Sequence, residues 1–223
     1  MSQDAGQLAQ LIDHTLVRPD ATLDDLFVVC EDAKKYGFSS VVVNGCHVIR
    51  AQEILKGTLV KVCAVAGFPL GANTTTVKIV EAMEAMKNGA SEIDFVINIG
   101  LVKSGRFDAV EVEIKNIIAM TPKKVHKVIL ETGRLTQDEI IRLCEIAMRS
   151  GAEFVKTSTG FGPRGATVDD VRLIKTVVGS VCRIKASGGI RNLAELTSLV
   201  EAGAERIGTS AGPTIMEEYY RLQ

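Results

Sequence analysis

Short apolar runs rich in Val and Ile alternate along this chain with longer amphipathic stretches. Eight of the runs read as strands: residues 11–16, 40–43, 60–66, 92–97, 126–130, 153–157, 182–186 and 206–209. Several lack polar alternation, as in "SSVVVNG" around Val42. A parallel strand buried on both faces reads this way. The stretches between them carry helix-start signals. Thr22 precedes Asp25, Thr136 precedes Glu139, Thr167 precedes Asp170, and Asn192 precedes Glu195. In each pair the first side chain is placed to accept from the amide three residues on. Gly37, Gly89, Gly151 and Gly203 stand where a helix-ending glycine takes the left-handed conformation.

A weak internal repeat supports this pattern. "GASEIDFV" from Gly89, "GAEFVK" from Gly151 and "GAERIG" from Gly203 share one order: a helix-ending Gly, then Ala, then Glu and a strand. Repeated strand–helix units with short links imply a parallel sheet with right-handed crossovers. Eight such units imply a closed (β/α)8 TIM barrel. The expected organisation is one barrel domain over residues 1–223, with a short N-terminal extension. An open doubly wound sheet is the rival, but no G-x-G-x-x-G follows the first strand, so a dinucleotide site lacks support.

Composition narrows the function classes. The 223 residues are 46% hydrophobic, enough for a sizeable core. The formal net charge is -1, and no basic or acidic run suggests nucleic acid or a membrane surface as partner. Aromatic residues make up 4%, which leaves little to stack bases on. No apolar run approaches the ~20 residues of a membrane span. "MSQDAGQLAQ" has neither a basic flank nor an apolar core, so no secretory signal is visible and a cytoplasmic location is expected. Cys30, Cys46, Cys63, Cys144 and Cys182 form no C-x-x-C pair and read as small hydrophobes in a reducing compartment. His14, His47 and His126 share no metal-ligand spacing, so no metal is expected.

Three ionisable residues interrupt the strand patterns near their C-terminal ends, where barrel chemistry sits. They are Asp94 in "SEIDFVINIG", Lys156 in "EFVKTSTG" and Lys185 in "CRIKASGG". Lysine is almost never fully buried without a partner. A structural Lys–Asp–Lys network would account for them. So would a Schiff-base site, since an amine attacks a carbonyl when it is unprotonated. Burial and a neighbouring cation both lower a lysine's pKa, and Asp94 could move protons through a water. "ASGGIRN" leaves a strand for a helix through Gly188 and Gly189, and "IGTSAG" follows the final strand. A Gly-Gly loop is often only a turn. Two small-residue loops after strands 7 and 8, one opening a helix, match where barrels bind phosphate.

"VKTSTGF", "IKASGGIR", "EIDFVINIG", "AVAGFPLG", "RIGTSAG" and the early "LIDHTLVRPDAT" together resemble the 2-deoxyribose-5-phosphate aldolase family, from about Leu8 to about Gly212. The resemblance implies a class I aldolase on a (β/α)8 barrel, without metal or organic cofactor. It would reversibly cleave 2-deoxy-D-ribose 5-phosphate to D-glyceraldehyde 3-phosphate and acetaldehyde, in deoxyribonucleoside catabolism. Its partners would be these small molecules and further copies of itself, in a dimer or tetramer. Lys156 would form the Schiff base, Lys185 would perturb it and exchange protons, and Asp94 would be the acid/base residue. Gly160, Gly188, Gly189, Gly208 and Ser210 match the family's phosphate loops, and Asp13 and Thr15 match residues near the floor of the site.

Three positions depart from that pattern or stand apart from it. Ala211 stands where many members carry a second serine, Asn44-Gly45 replaces Asn-Pro or Tyr-Pro and implies a looser loop, and Arg164 falls near the mouth. The alternatives are another Schiff-base barrel enzyme acting on a phosphorylated sugar, or a catalytically silent sugar-phosphate binder.

Overall fold

The computed structural model describes residues 4–223, so the first three residues of the stretch read for a leader lie outside it. Eight strands run β1 (Ile12–Leu16), β2 (Ser40–Val43), β3 (Lys61–Ala66), β4 (Glu92–Val96), β5 (Val125–Ile129), β6 (Phe154–Lys156), β7 (Arg183–Ser187) and β8 (Arg206–Thr209). All pair in parallel, in sequence order. β8 returns to β1 through Ile12↔Ile207, Asp13↔Gly208 and His14↔Thr209, which closes the barrel and excludes the open sheet. Each boundary falls within one or two residues of its sequence expectation. β6 is the shortest because the chain turns after Lys156, yet ladder bonds continue, Thr157 donating to the Lys185 carbonyl and Thr132 to that of Thr157.

The described residues also form ten α-helices, eight of them between strands: α1 (Ala5–Ala9), α2 (Leu23–Tyr36), α3 (Val48–Leu55), α4 (Thr75–Lys87), α5 (Ile99–Lys103), α6 (Phe107–Met120), α7 (Gln137–Arg149), α8 (Val168–Val178), α9 (Leu193–Glu201) and α10 (Gly212–Arg221). α1 is the N-terminal extension and buries Leu8 and Ala9. Thr22–Asp25 and Thr136–Glu139 form complete capping boxes. Thr167 and Asn192 accept from the Asp170 and Glu195 amides, but Glu195 turns its own carboxylate to the Arg191 amide. The four helix-ending glycines all have positive φ, from 73° at Gly37 to 119° at Gly203. Among the described residues no helix is long and apolar enough to cross a membrane.

Two cores result. The larger lies between sheet and helices, where Val41, Ile93, Val155, Ile184 and Ile207 meet Leu26, Ile114, Leu143, Ile174 and Leu196. The inner one fills the barrel. Side chains alternate across a strand, and barrel interiors stack in layers of four drawn from alternate strands. The register places Asp13, Cys63, Lys127 and Lys185 in the central layer. Val42, Asp94, Lys156 and Gly208 lie above it, toward the C-terminal ends, and Ser40, Glu92, Phe154 and Arg206 lie below. Such layers are ordinarily filled by Val, Ile and Leu. Here they are mostly polar or charged.

Candidate active site

Asp94 is the hub of the interior. Its Oδ2 accepts from Lys156 Nζ and Lys185 Nζ, each at 2.8 Å. Its Oδ1 accepts from Lys127 Nζ at 2.8 Å and from the Cys63 thiol at 3.0 Å. One layer down, Asp13 lies 2.5 Å from Lys185 Nζ and accepts from Arg206 at 2.7 Å and Ser40 at 2.6 Å. Glu92 closes the base, 2.6 Å from Lys127 and 3.5 Å from Arg206. All these groups are buried.

The electrostatics follow from this crowding. Burial alone would raise the pKa of Asp94, but Lys127, Lys156 and Lys185 together hold it well below the carboxylate range. Asp13 is likewise held low by Lys185, Lys127 and Arg206 against its burial. Burial would lower Lys127 and Lys185, but the carboxylates around each more than offset it and keep both above the ordinary lysine value. Lys156 goes the other way. Burial pulls its pKa below that of a free lysine, Asp94 opposes the shift, and Lys185 adds to it. Burial raises the Cys63 thiol, so it stays protonated and donates.

A cavity of about 420 Å³ opens at the C-terminal end of the barrel, directly over Lys156. Gly160, Gly188, Gly189, Gly208, Ser210 and Thr15 all line it, so six of the expected residues share one wall system with the lysine. Asp13, Asp94 and Lys185 do not reach it and lie beneath. Gly188 has φ of 88°, and a Cβ there would stand 3.0 Å from the Gly165 Cα. A Cβ at Gly208 would stand 2.9 Å from the Ser187 Cβ and 3.1 Å from the Lys185 Cε, so the missing side chain leaves room for the lysine stem. Phe68 and Phe161 meet edge to face at the mouth, their centroids 5.6 Å apart.

The loop after β6 is tied from behind. Glu131, buried and at a positive φ of 59°, accepts from the Thr159 amide at 3.2 Å and from its hydroxyl. Arg164 lies outside the cavity wall and pairs with both oxygens of Asp170. Ala211 cannot supply a hydroxyl, and its amide donates to Thr209 at 2.9 Å. The Asn44-Gly45 loop is not loose: it forms a 3-10 turn, with the Asn44 side chain donating to the Val17 carbonyl at 3.2 Å.

Five members of the network lie beyond the sequence reading: Ser40, Cys63, Glu92, Lys127 and Arg206. Lys127 carries the same signal as Lys185, a charge inside an apolar strand, in "HKVIL". Glu92 and Arg206 open their strands, where polar residues are common, so their positions carry no sequence signal of burial.

Comparison with known proteins bears on the whole chain. The sequence profile of the DeoC/LacD family aldolases matches residues 7–217. A deoxyribose-phosphate aldolase of Caldanaerobacter subterraneus subsp. tengcongensis is 54% identical over 215 residues, spanning 95% of this chain and 93% of that protein. One from Staphylococcus epidermidis is 53% identical over 209 residues, spanning 94% and 95%. Among solved structures, the tetrameric deoxyribose phosphate aldolase of Aeropyrum pernix superposes with a TM-score of 0.92 at 33% identity, covering 99% of this chain and 94% of that one.

Proposed function

The chain belongs to the DeoC/LacD family of aldolases, and from that premise we propose that it is a deoxyribose-phosphate aldolase working through a Schiff base on Lys156. It reversibly cleaves 2-deoxy-D-ribose 5-phosphate to D-glyceraldehyde 3-phosphate and acetaldehyde. The observation that carries the site assignment is the position of Lys156. It is the lysine of the interior that lines the cavity, its pKa is lowered, and it shares one carboxylate oxygen with a second ammonium.

In the cleavage direction the free amine of Lys156 attacks the aldehyde carbon of the open-chain sugar. The resulting carbinolamine takes a proton from Lys185 through a bridging water, loses its hydroxyl as water, and leaves a protonated imine. The imine withdraws the electron pair of the bond between the second and third carbons, while the hydroxyl on the third carbon loses its proton. Asp94, a resting anion, and Lys185, a resting ammonium, pass that proton through a water. Glyceraldehyde 3-phosphate leaves, and the remaining enamine takes a proton at its terminal carbon. Hydrolysis of the imine releases acetaldehyde and returns Lys156.

The substrate phosphate sits against Gly160, Gly188, Gly189, Gly208 and Ser210, with Thr15 on the neighbouring strand β1 and Asp13 one layer beneath. The start of α9, opened by the Asn192 cap, adds positive potential behind Gly188 and Gly189. No metal or organic cofactor takes part in this scheme. The whole chain acts as one aldolase domain in the cytoplasm, where its five free cysteines suit a reducing environment. It assembles with further copies of itself. The tetrameric Aeropyrum pernix relative and the exposed Leu23 and Phe27, one turn apart on α2, support that part of the reading.

The test is covalent trapping. Incubated with acetaldehyde and sodium borohydride, the protein should gain a single ethyl group by intact mass. No gain would overturn the aldolase reading, and a gain without turnover of deoxyribose 5-phosphate would point to a different substrate.

A further inference from the structure

The barrel interior holds one more cationic side chain than it holds carboxylates. The buried carboxylates are Asp13 on β1 and Glu92 and Asp94 on β4. Facing them are Lys127 on β5, Lys156 on β6, Lys185 on β7 and Arg206 on β8. The Cys63 thiol on β3 is neutral. Lys61 on β3 approaches Glu92 at 3.5 Å, but from the rim with its side chain half exposed, where water screens it.

An uncompensated charge in a buried site is costly, and a titratable group relieves the cost by neutralising. One of the four cations must therefore give up its proton most easily. Arginine does not deprotonate in proteins. Lys127 touches Asp94 at 2.8 Å, Glu92 at 2.6 Å and the Cys63 sulfur at 3.3 Å, with Asp13 at 3.8 Å. Lys185 is held by Asp13 and Asp94. Lys156 has only Asp94 Oδ2, an oxygen it shares with Lys185. It has the weakest claim to its proton.

We propose that Lys127 and Glu92, which do not reach the cavity, set the charge of the interior so that Lys156 is the amine left free. Lys127 is then a positioning residue: it holds Asp94 as an anion and supplies the fixed cation that makes the Lys156 proton surplus. The proposal rests on Lys156 being the nucleophile. Its consequence is that Lys127 and Glu92 act on the reaction with opposite signs, although they are ion-paired to each other.

The experiment measures the pH midpoint of imine trapping by acetaldehyde and sodium cyanoborohydride, read by intact mass, in wild type, Lys127→Met, Glu92→Gln and the double variant. Without Lys127 the three carboxylates are balanced only when Lys156 stays protonated. The midpoint should rise by about one unit or more, about tenfold less free amine at neutral pH. Glu92→Gln should move it down, by less, because Glu92 lies two layers below Lys156. The double variant removes one charge of each sign and should return most of the way to wild type. A merely structural Lys127 would lower the trapped yield and leave the midpoint in place. That outcome, or Glu92→Gln moving the midpoint upward, overturns the proposal. If circular dichroism shows Lys127→Met unfolded, the sign of the Glu92→Gln shift decides alone. Trapping in wild type with no shift in the variants refutes this proposal and leaves the aldolase reading standing, whereas no trapping in wild type refutes both.

Discussion

Lys156 and Lys185 stand opposite each other in the register of β6 and β7, and their ammonium nitrogens lie at the same distance, 2.8 Å, from one oxygen of Asp94. The two lysines are nonetheless unlike. Lys185 has a second carboxylate, Asp13, and no contact with the cavity. Lys156 pairs with Asp94 alone among the described residues and lines the cavity. On the proposed function that asymmetry makes Lys156 the nucleophile and Lys185 the proton partner, and it yields the first two predictions.

Lys156→Arg keeps a cation beside Asp94 but removes the primary amine. Turnover of deoxyribose 5-phosphate should fall by about three orders of magnitude or more, as when a covalent nucleophile is lost. Peptide mapping of the borohydride-trapped wild-type protein should place the ethyl group on Lys156. An adduct on Lys185 or Lys127 would reverse the assignment.

Lys185→Leu removes the neighbouring cation and leaves Asp94 Oδ2 to Lys156 alone. Both changes favour the protonated amine, so the pKa of Lys156 should rise, by about one to three units. Imine trapping at neutral pH should slow and recover as pH is raised, while turnover stays impaired because the proton partner is gone. Identical pH profiles in wild type and variant would confine Lys185 to the relay or to structure.

Gly189→Ala tests the phosphate loop. A Cβ there meets nothing within 4 Å, so the side chain fits, but φ is 79°. Only glycine takes that conformation without a penalty, roughly 1–2 kcal/mol for other residues. The backbone should shift, and the amides facing the cavity with it. KM for the phosphorylated sugar should rise about tenfold, with little change for unphosphorylated deoxyribose. Equal losses on both would place the phosphate elsewhere.

The barrel and the meeting of Asp94, Lys156 and Lys185 were legible in sequence because each rested on a local signal. Strand order came from the spacing of Val- and Ile-rich runs, and helix starts came from side chains that cap their own backbone, as Thr22 and Thr136 do. Asp94, Lys156 and Lys185 stood out as charges in apolar surroundings. The reach of the network was hidden because it depends on barrel height. Glu92 and Asp94 are two residues apart on one strand, and only the register shows that Lys127 spans them. Arg164 falls near the mouth in sequence, and its role was open there; Asp170, six residues on, takes its guanidinium.

Behind β4 a second buried ion pair supports the rim. Lys78 on α4 donates to the Val96 carbonyl at 2.8 Å and to Glu113 on α6 at 2.9 Å, and Glu113 also accepts from the Asn98 amide at 3.0 Å. Removing one partner leaves an unpaired buried charge. Lys78→Met should destabilise the fold by about 3–5 kcal/mol in urea titration, and Lys78→Met with Glu113→Leu should cost less than the single change. A loss below ~1 kcal/mol for the single variant would mean that water reaches the pair.

Glu131 offers the sharpest test of how the lining loop is held. Its carboxylate takes both the amide and the hydroxyl of Thr159, whose neighbours Gly160 and Phe161 line the cavity. Its other oxygen faces Gly162, where a Cβ would stand only 2.4 Å away. The residue keeps a positive φ of 59° that glycine would adopt more readily. Relief of strain and loss of the latch can therefore be separated. Glu131→Gly relieves the backbone and deletes the acceptor. Glu131→Gln keeps an acceptor of the same shape without the charge. If the latch positions the loop, Glu131→Gly should lose about 1–3 kcal/mol of stability from the unpaired Thr159 groups, and KM for the phosphorylated sugar should rise more than kcat falls. Glu131→Gln should lie much nearer wild type, about 1 kcal/mol below it, the difference between a charged and a neutral acceptor. If Glu131→Gly instead matches or exceeds wild type in both stability and KM, backbone strain dominates at this corner and the Thr159 contact does not position the loop.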